Sequence, residues 1–497
     1  MSDELPDGWA RVSVGDLFEI NPKHSPGTPP DTLVSFVPMP AVDEVEGRIL
    51  SHSNRPLAEV WKGYTHFADG DVIFAKITPC MENGKIAIAE GLTNGLACGS
   101  TEFHVFRPQG AALAPFLHRF LRQQSYRDDA EAAMTGAVGQ RRVPRDFIAN
   151  TAFPLPPLPE QHRIVAKIDS LFARSSRARD ELAHIPRLIE RYRQAVLEAA
   201  FRGDLTADWR ATFVGGVGSV ATAIRDERRA WWASIHGDRK QYVSPASCSA
   251  DDLYKLPSSW EWMRAEESCA FITKGTTPEK STMTVGGGDI PYIKVYNLTF
   301  TGELDFTIDP TFVPRVVHDE ELARSRVIPG DILMNIVGPP LGKVSIVPDD
   351  YPEWNINQAI AIFRRMPSLD LRYLAYWLSS AFAINWSVSR AKATAGQSNL
   401  TLEICRDIPI PIPPLVEQCR AVVEIDRHFT AIKNCSVEFS HAEGRLATLD
   451  QSILDKAFTG KLVPQDPADE PASKLLDRIK ATRESAPKAK RGRRSAS

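Results

Sequence analysis

The chain contains itself twice. Pro154-Leu-Pro-Pro-Leu-Pro-Glu-Gln161 recurs as Pro411-Ile-Pro-Pro-Leu-Val-Glu-Gln418, and Ala200-Phe-Arg-Gly203 recurs as Ala457-Phe-Thr-Gly460. Both pairs are offset by 257 residues, so nothing has been inserted or deleted between them. A period this long means that a whole structural unit is duplicated, which constrains the fold more than any local propensity. Fainter matches flank it: Asp7-Gly8-Trp9 with Ser258-Ser259-Trp260, Gly70-Asp71-Val-Ile with Gly330-Asp331-Ile-Leu, Gly139-Gln140 with Gly396-Gln397, and Ile224, Arg225 and Arg228 with Ile479, Lys480 and Arg483. Upstream the offsets drift between 251 and 260, so these parts have diverged through their loops.

The constant spacing falls in helical sequence. From Ile164 a seam continues through Ile168, Leu171, Ser175, Ala178, Leu182, Ile185, Ile189, Tyr192 and Val196. Ala421, Ile425, His428, Ile432, Cys435, Phe439, Ala442, Leu446, Leu449 and Ile453 follow the same alternation of four and three. A sustained 3.5-residue repeat predicts a coiled-coil seam. Prolines keep the chain extended before each helix. Glu160 and Glu417 sit in the first turns, where the helix dipole favours an anion; Gly203 and Gly460 are the expected stops. Pro186 should kink the first helix, whereas its counterpart is Glu443. Residues 160–203 hold nine Lys/Arg against six Asp/Glu, and residues 417–460 hold five against seven. Opposite net signs favour the helices packing on each other; the alternative is that each packs on its own globule.

Strand signals punctuated by turns (Gly70–Lys76, Ile290–Tyr296, Gly330–Asn335) precede helical patterns (Leu113–Ala133, Leu371–Lys392), which makes each globule a mixed α/β domain. The expected order is a first globule (1–155), a helix (156–203), a linker with a short charged helix at Ala221–Ile235 (204–256), a second globule (257–412), a second helix (413–460) and an extension with a basic tail (461–497). A hydrophobic fraction of 43% supports real cores. No apolar run approaches the roughly 18 residues of a membrane span, and the acidic start lacks the build of a signal peptide. Seven scattered cysteines without a Cys-x-x-Cys pair suit a reducing cytoplasm and argue against a disulfide framework or a zinc site. The net charge of −3 requires any nucleic-acid-binding surface to be local. No Asn-Pro-Pro-Tyr, Walker A or His-Glu-x-x-His motif is present. Gly216-Val-Gly-Ser-Val-Ala221 fits only a loose dinucleotide fingerprint, with no strand before it. No catalytic, cofactor or metal site is expected. Trp231-Trp232 read as helix packing and His428 as a polar seam residue.

The architecture resembles the specificity subunits of type I restriction–modification systems over nearly the whole chain. The resemblance rests on the doubled Pro-Pro-Leu-x-Glu-Gln and Ala-Phe-x-Gly segments, the paired Gly-Asp strands and the Trp starts. Ile77-Thr-Pro-Cys-Met-Glu-Asn-Gly-Lys85, Lys274-Gly-Thr-Thr-Pro278 and Ile290-Pro-Tyr-Ile-Lys294 look like elements of the family's target-recognition domains. It implies two α/β (mixed α+β) target-recognition domains, separated by long antiparallel coiled-coil helices and related by a pseudo-twofold internal repeat. Each domain would read one half of a split double-stranded DNA sequence. The helices would set the gap and dock two DNA adenine methyltransferase subunits, with two motor–nuclease subunits joining them. S-adenosylmethionine, ATP and Mg would belong to those partners. A scaffold that bridges proteins without reading DNA, and a system that only methylates, are the alternatives.

Readers of DNA place Arg, Lys, Asn, Gln and hydroxyls at base edges and phosphates. The candidates in the first globule are Lys76, Thr78, Asn83 and Lys85 on one loop, and Gln140, Arg141 and Arg142 on another. In the second they are Lys274, Thr276, Thr277, Lys294, Asn297, Gln397 and Asn399. The bland alternatives are a solvated pair for Arg141 and Arg142 and plain turns for Asn83-Gly84 and the Gly-Thr-Thr-Pro loop.

Overall fold

The computed structural model describes residues 5–137, 139–213, 219–249, 253–395 and 399–485. The chain resolves into two compact units, residues 1–183 with 440–497, and residues 184–439. Each unit therefore combines one globule with the start of its own helix and the end of the other copy's helix.

In the first unit an antiparallel sheet runs in the order Phe18–Ile20, Phe103–Pro108, Val72–Ala75, Ile86–Ile88. The second unit repeats it as Cys269–Lys274, Ile360–Arg365, Ile332–Asn335, Val344–Ile346. A ribbon accompanies each sheet, Ala10–Ser13 with Ala152–Leu155 and Glu261–Arg264 with Pro409–Ile412. The third component has diverged. Ser53–Pro56, Leu33–Val37, Leu96–Gly99 and Thr65–Ala68 form one four-stranded sheet; Thr284–Val285, Thr311–Val313, Ile290–Ile293 and Asn355–Ile356 form its differently ordered counterpart.

The paired Gly-Asp segments are turns that bury a charge. Gly70 and Gly330 have φ of +86° and +84°, a region favouring glycine. The next residue, Asp71 or Asp331, is buried and holds Arg107 or Arg364 through two hydrogen bonds.

The first long helix is interrupted: Leu158–Leu182 and Ile185–Arg202 are separated at Ala183–His184. Pro186 cannot donate to the carbonyl of Leu182, so the ladder breaks there. With Glu443 in the equivalent place, Leu415–Phe458 runs unbroken for 44 residues. In the first unit Arg163 meets Asp469 and Arg179 meets Asp450. In the second, Tyr192 Oη lies 2.8 Å from His428 Nδ1 and Arg210 meets Glu417. Rising numbers on one side meet falling numbers on the other, so the paired segments are antiparallel. Of the expected seam, Ile164, Ile168, Ser175, Val196, Ala421, Ile425 and Ile453 are buried. Tyr192, Cys435 and Leu449 are exposed instead, so the seam is not filled along its whole length.

The expected helical stretches 113–133 and 371–392 are each two helices: Ala114–Leu121 with Gln124–Ala132, and Leu371–Leu378 with Ala381–Ala395. Gln123 ends the first by donating from Nε2 to Phe120 O. Buried Ser380 starts the last by accepting from the Ala383 N–H, an N-cap that apolar periodicity does not reveal.

The doubled Glu-Gln pair is a buried clamp. Gln161 Nε2 donates to Ala111 O and Pro156 O, while its Oε1 accepts from the Leu113 N–H. Gln418 makes the same three bonds to Ser368 O, Pro413 O and the Asp370 N–H, each partner 257 residues on. Glu160 accepts from Trp9 Nε1 at 3.1 Å and Glu417 from Trp260 Nε1 at 2.9 Å, which ties each Trp start to its own helix. The helix ends exchange: Phe458 packs on Phe116 and Phe120 of the first globule, Phe201 on Tyr373 and Trp377 of the second. The linker helix Val220–His236 buries Ala221 and Ile224 in the second unit's core, with Trp231 packed against it. Among the described residues no helix is long and apolar enough to cross a membrane.

Candidate nucleic-acid interface

In the first unit strands Val72–Ala75 and Ile86–Ile88 form a hairpin, with Phe74 opposite Ile86, and its loop occupies residues 76–85. The loop backbone joins two other segments at the same end of the sheet. The Lys76 N–H donates to Glu102 O, and Lys76 O accepts from the Val143 N–H. The Thr78 N–H donates to Arg141 O at 3.1 Å. The two candidate loops of this globule are thus brought side by side.

The side chains make a charged cluster on that frame. Arg142 grips Glu102 through two bonds of 2.9 Å, which hold the carboxyl below its usual range. Burial lowers the Lys76 ammonium, opposed by the Glu102 charge. Arg141 meets Glu131 at 3.1 Å, and Thr78 Oγ1 donates to Glu82 at 2.8 Å. Asn83 and Gln140 are exposed. Lys85 is turned away: its Nζ donates to Val42 O at 2.7 Å and pairs with Glu44 at 3.2 Å.

The second unit rebuilds the frame with other chemistry. The Ile336 N–H donates to Ala359 O, and Ile336 O accepts from the Leu400 N–H. Ile336, Ala359 and Asn399 therefore stand where Lys76, Glu102 and Arg142 stand in the first unit. Asn399 Oδ1 accepts from the Gly338 N–H at 3.2 Å, across the loop of the equivalent hairpin. The Lys274–Thr277 loop lies alongside, because the Gln358 N–H reaches Thr277 Oγ1 and the Gly275 N–H reaches Ile360 O. Gly275 is required there, since a Cβ would fall 2.1 Å from Asn357 O. Lys274 is exposed; Thr276 Oγ1 accepts from Arg324 Nε at 3.3 Å.

Two candidates follow the strand Ile290–Ile293, whose Ile293 O accepts from the Asn357 N–H. Lys294 Nζ lies 3.6 Å from Asp309 and over the Tyr296 ring. Asn297 is buried, with its amide bonded to Asp305 O, Ile308 O and the Lys294 N–H, so it holds a loop. Gln397, residues 216–218 of the glycine-rich stretch and the basic tail lie outside the described residues. Sequence reasoning missed Glu102, Glu131 and Arg324. Gly342-Lys343 repeats Gly84-Lys85, and Lys343 is engaged in the same way as Lys85, with its Nζ on Val295 O as that of Lys85 is on Val42 O. Arg324 carries no local signal.

Known proteins match this chain along most of its length. The model of a family described as type I restriction modification DNA specificity domain matches residues 6–185 and again 257–435. The type I restriction enzyme EcoEI specificity subunit of Escherichia coli is 27% identical, over 92% of this chain and 83% of its own. The EcoBI specificity subunit of the same species is 29% identical, over 71% and 68%. Among solved structures, the HsdS subunit from Thermoanaerobacter tengcongensis superposes with a TM-score of 0.56 at 24% identity, covering 93% of this chain and 99% of that one. A chain from a study of complex assembly and conformational transition of the type I R-M system gives 0.64 at 23% identity, covering 92% and 100%.

Proposed function

The chain belongs to the family of type I restriction–modification DNA specificity domains, and from that premise we propose that its two globules each read one half of a bipartite double-stranded DNA target. One observation carries the reading further than the family does. The same backbone frame is built twice, with Lys76, Glu102 and Arg142 in one copy and Ile336, Ala359 and Asn399 in the other. A shared frame with unlike side chains is what an asymmetric target requires, because Arg and Lys suit guanine and phosphate whereas Asn and Gln suit adenine.

Around the first frame Lys76, Thr78, Asn83, Gln140, Arg141 and Arg142 face the DNA. Glu102, which holds Arg142 through two bonds, fixes the plane of that guanidinium before contact. Around the second, Asn399 reads a base, while Lys274, Thr276 and Thr277 are joined by Arg324; Gln397 remains a base-reading candidate on its residue type alone. Lys294 is a phosphate contact. The chain is a non-catalytic specificity subunit. Adenine methylation, S-adenosylmethionine, ATP, Mg and cleavage belong to two methyltransferase and two motor–nuclease subunits, in the cytoplasm. The paired helices dock the methyltransferases and set the gap between half-sites.

The test uses the full chain with its methyltransferase partner. Replacing Arg141 and Arg142 together by alanine should weaken DNA binding and flatten its salt dependence by about 0.9 log unit for each phosphate no longer neutralised. An unchanged slope would reduce both arginines to surface ion pairs and remove them from the interface.

A further inference from the structure

His24, His66 and Cys98 are far apart in the sequence, 42 and 32 residues, and meet in the first unit. One donor atom from each lies within 4.8 Å of the others, and among the described residues this is the one trio of His, Cys or carboxylate side chains so placed. All three are buried, none more than 5% exposed. His66 and Cys98 face each other directly across the antiparallel strands Thr65–Ala68 and Leu96–Gly99. His24 comes from the segment that connects Phe18–Ile20 to Leu33–Val37, and its ring lies 4.7 Å from that of His66.

The hydrogen bonds set the tautomers. His24 Nε2 lies 2.8 Å from Ala97 O, and His66 Nε2 lies 2.9 Å from Trp61 O. A carbonyl only accepts, so both protons sit on Nε2 and both lone pairs on Nδ1. The remaining contact to His66 Nδ1 is a long one, 3.3 Å from the His24 N–H. Histidines that bind metals characteristically anchor the far ring nitrogen on a carbonyl or carboxylate in this way. Burial lowers both imidazoles, which keeps them neutral and able to donate.

We propose that His24, His66 and Cys98 form a site for a thiophilic d10 cation, Zn(II), which staples the segment around His24 to the small sheet of the first globule. Two imidazoles and one thiolate are donors such a cation prefers, and they fill three of its four tetrahedral positions. On binding, the Cys98 S–H bond breaks and its proton leaves to solvent, while each imidazole donates a lone pair and keeps its proton. One proton is therefore released per zinc, and the thiol, pushed up to about 11 by burial, is ionised by the metal itself. Cysteine spacing alone argues against zinc in this chain, because short motifs cannot register ligands brought together by strand pairing.

The experiment takes the full-length chain, reduced and stripped with a chelator, and titrates it with zinc alone against a chromophoric indicator. One zinc per chain should bind, with release of about one proton. Cobalt(II) in its place should give a thiolate-to-metal charge-transfer band. Cys98→Ser should abolish the band, and His24→Asn and His66→Asn should each weaken zinc binding at least about tenfold. The double variant Cys419→Ser/Cys435→Ser, which removes two exposed thiols, should leave stoichiometry and band unchanged. A wild-type chain that binds no zinc, or whose cobalt form lacks the band, overturns the proposal even if Cys98→Ser fails to fold. So does a band that survives Cys98→Ser or disappears with the exposed thiols.

Discussion

Glu160 and Glu417 occupy equivalent places in the repeat, and their unequal surroundings predict unequal sensitivity to one substitution. Glu417 is buried and accepts from Trp260 Nε1 at 2.9 Å, Thr206 Oγ1 at 2.7 Å and Arg210 Nε at 2.8 Å. Glu160 accepts from Trp9 at 3.1 Å, and its next neighbour, Gln465 Nε2, is 3.5 Å away. In Glu417→Gln the new amide nitrogen must face a donor. Arg210 keeps its bonds to Gly203 O and Thr206 Oγ1 but is left without its counter-charge. One charged hydrogen bond is worth roughly 1.5–3 kcal/mol. Arg210 is about a quarter exposed, so solvent screening keeps the destabilisation at about 2 kcal/mol. In a unit of this size that lowers Tm by about 4–8 °C. Glu160→Gln keeps an acceptor for Trp9 and breaks no ion pair, so it should change stability by less than about 1 kcal/mol. Thermal and urea unfolding of the two variants side by side is the assay. Equal destabilisation of the two, or less than about 1 kcal/mol in Glu417→Gln, would refute the view that Arg210 and Glu417 hold the linker to the second helix.

Two further outcomes follow from the same geometry. Burial raises the Glu160 carboxyl, so the folded chain binds that proton more tightly than the unfolded one. The contribution of Glu160 to stability should therefore fall as pH rises from the ordinary glutamate value of about 4.3 through the raised one. In a pH series of urea melts the stability of wild type minus that of Glu160→Gln should decline over that range, and a difference that does not change with pH would sink the assignment. If the paired helices set the gap between half-sites, a heptad inserted after Ser175 and another after Leu454 should keep the seam in phase. Together they add about 10 Å, or about three base pairs of spacer. Methylation at the original spacing would reduce the helices to docking posts.

What the sequence revealed is what repeats at a fixed interval. The constant offset of 257 located both helices and their stops at Gly203 and Gly460, because helix geometry tolerates no insertion without losing its seam, while Pro186, where the other copy has Glu443, marked the break. It also marked Glu160-Gln161 and Glu417-Gln418, although their partners, Trp9 and Trp260 among them, are far away in the chain. The candidate loops were harder. Lys76, Thr78, Arg141 and Arg142 were singled out because Gly and Pro punctuate their loops, yet the joining of those loops through Glu102 depends on strand order. Asn297 was misjudged for a related reason: an Asn beside a strand reads as a ligand until its amide is seen closing its own loop. Arg324 was invisible, since only the fold sets it against Thr276.

The central claim is that one chain carries two separate readers. The most direct test exchanges residues 1–155 for the matching globule of a relative and maps methylated adenines genome-wide in cells that supply the partner subunits. One half of the methylated motif should change, while the other half and the spacer between them stay as they were. A motif altered in both halves, or in neither, would contradict the claim.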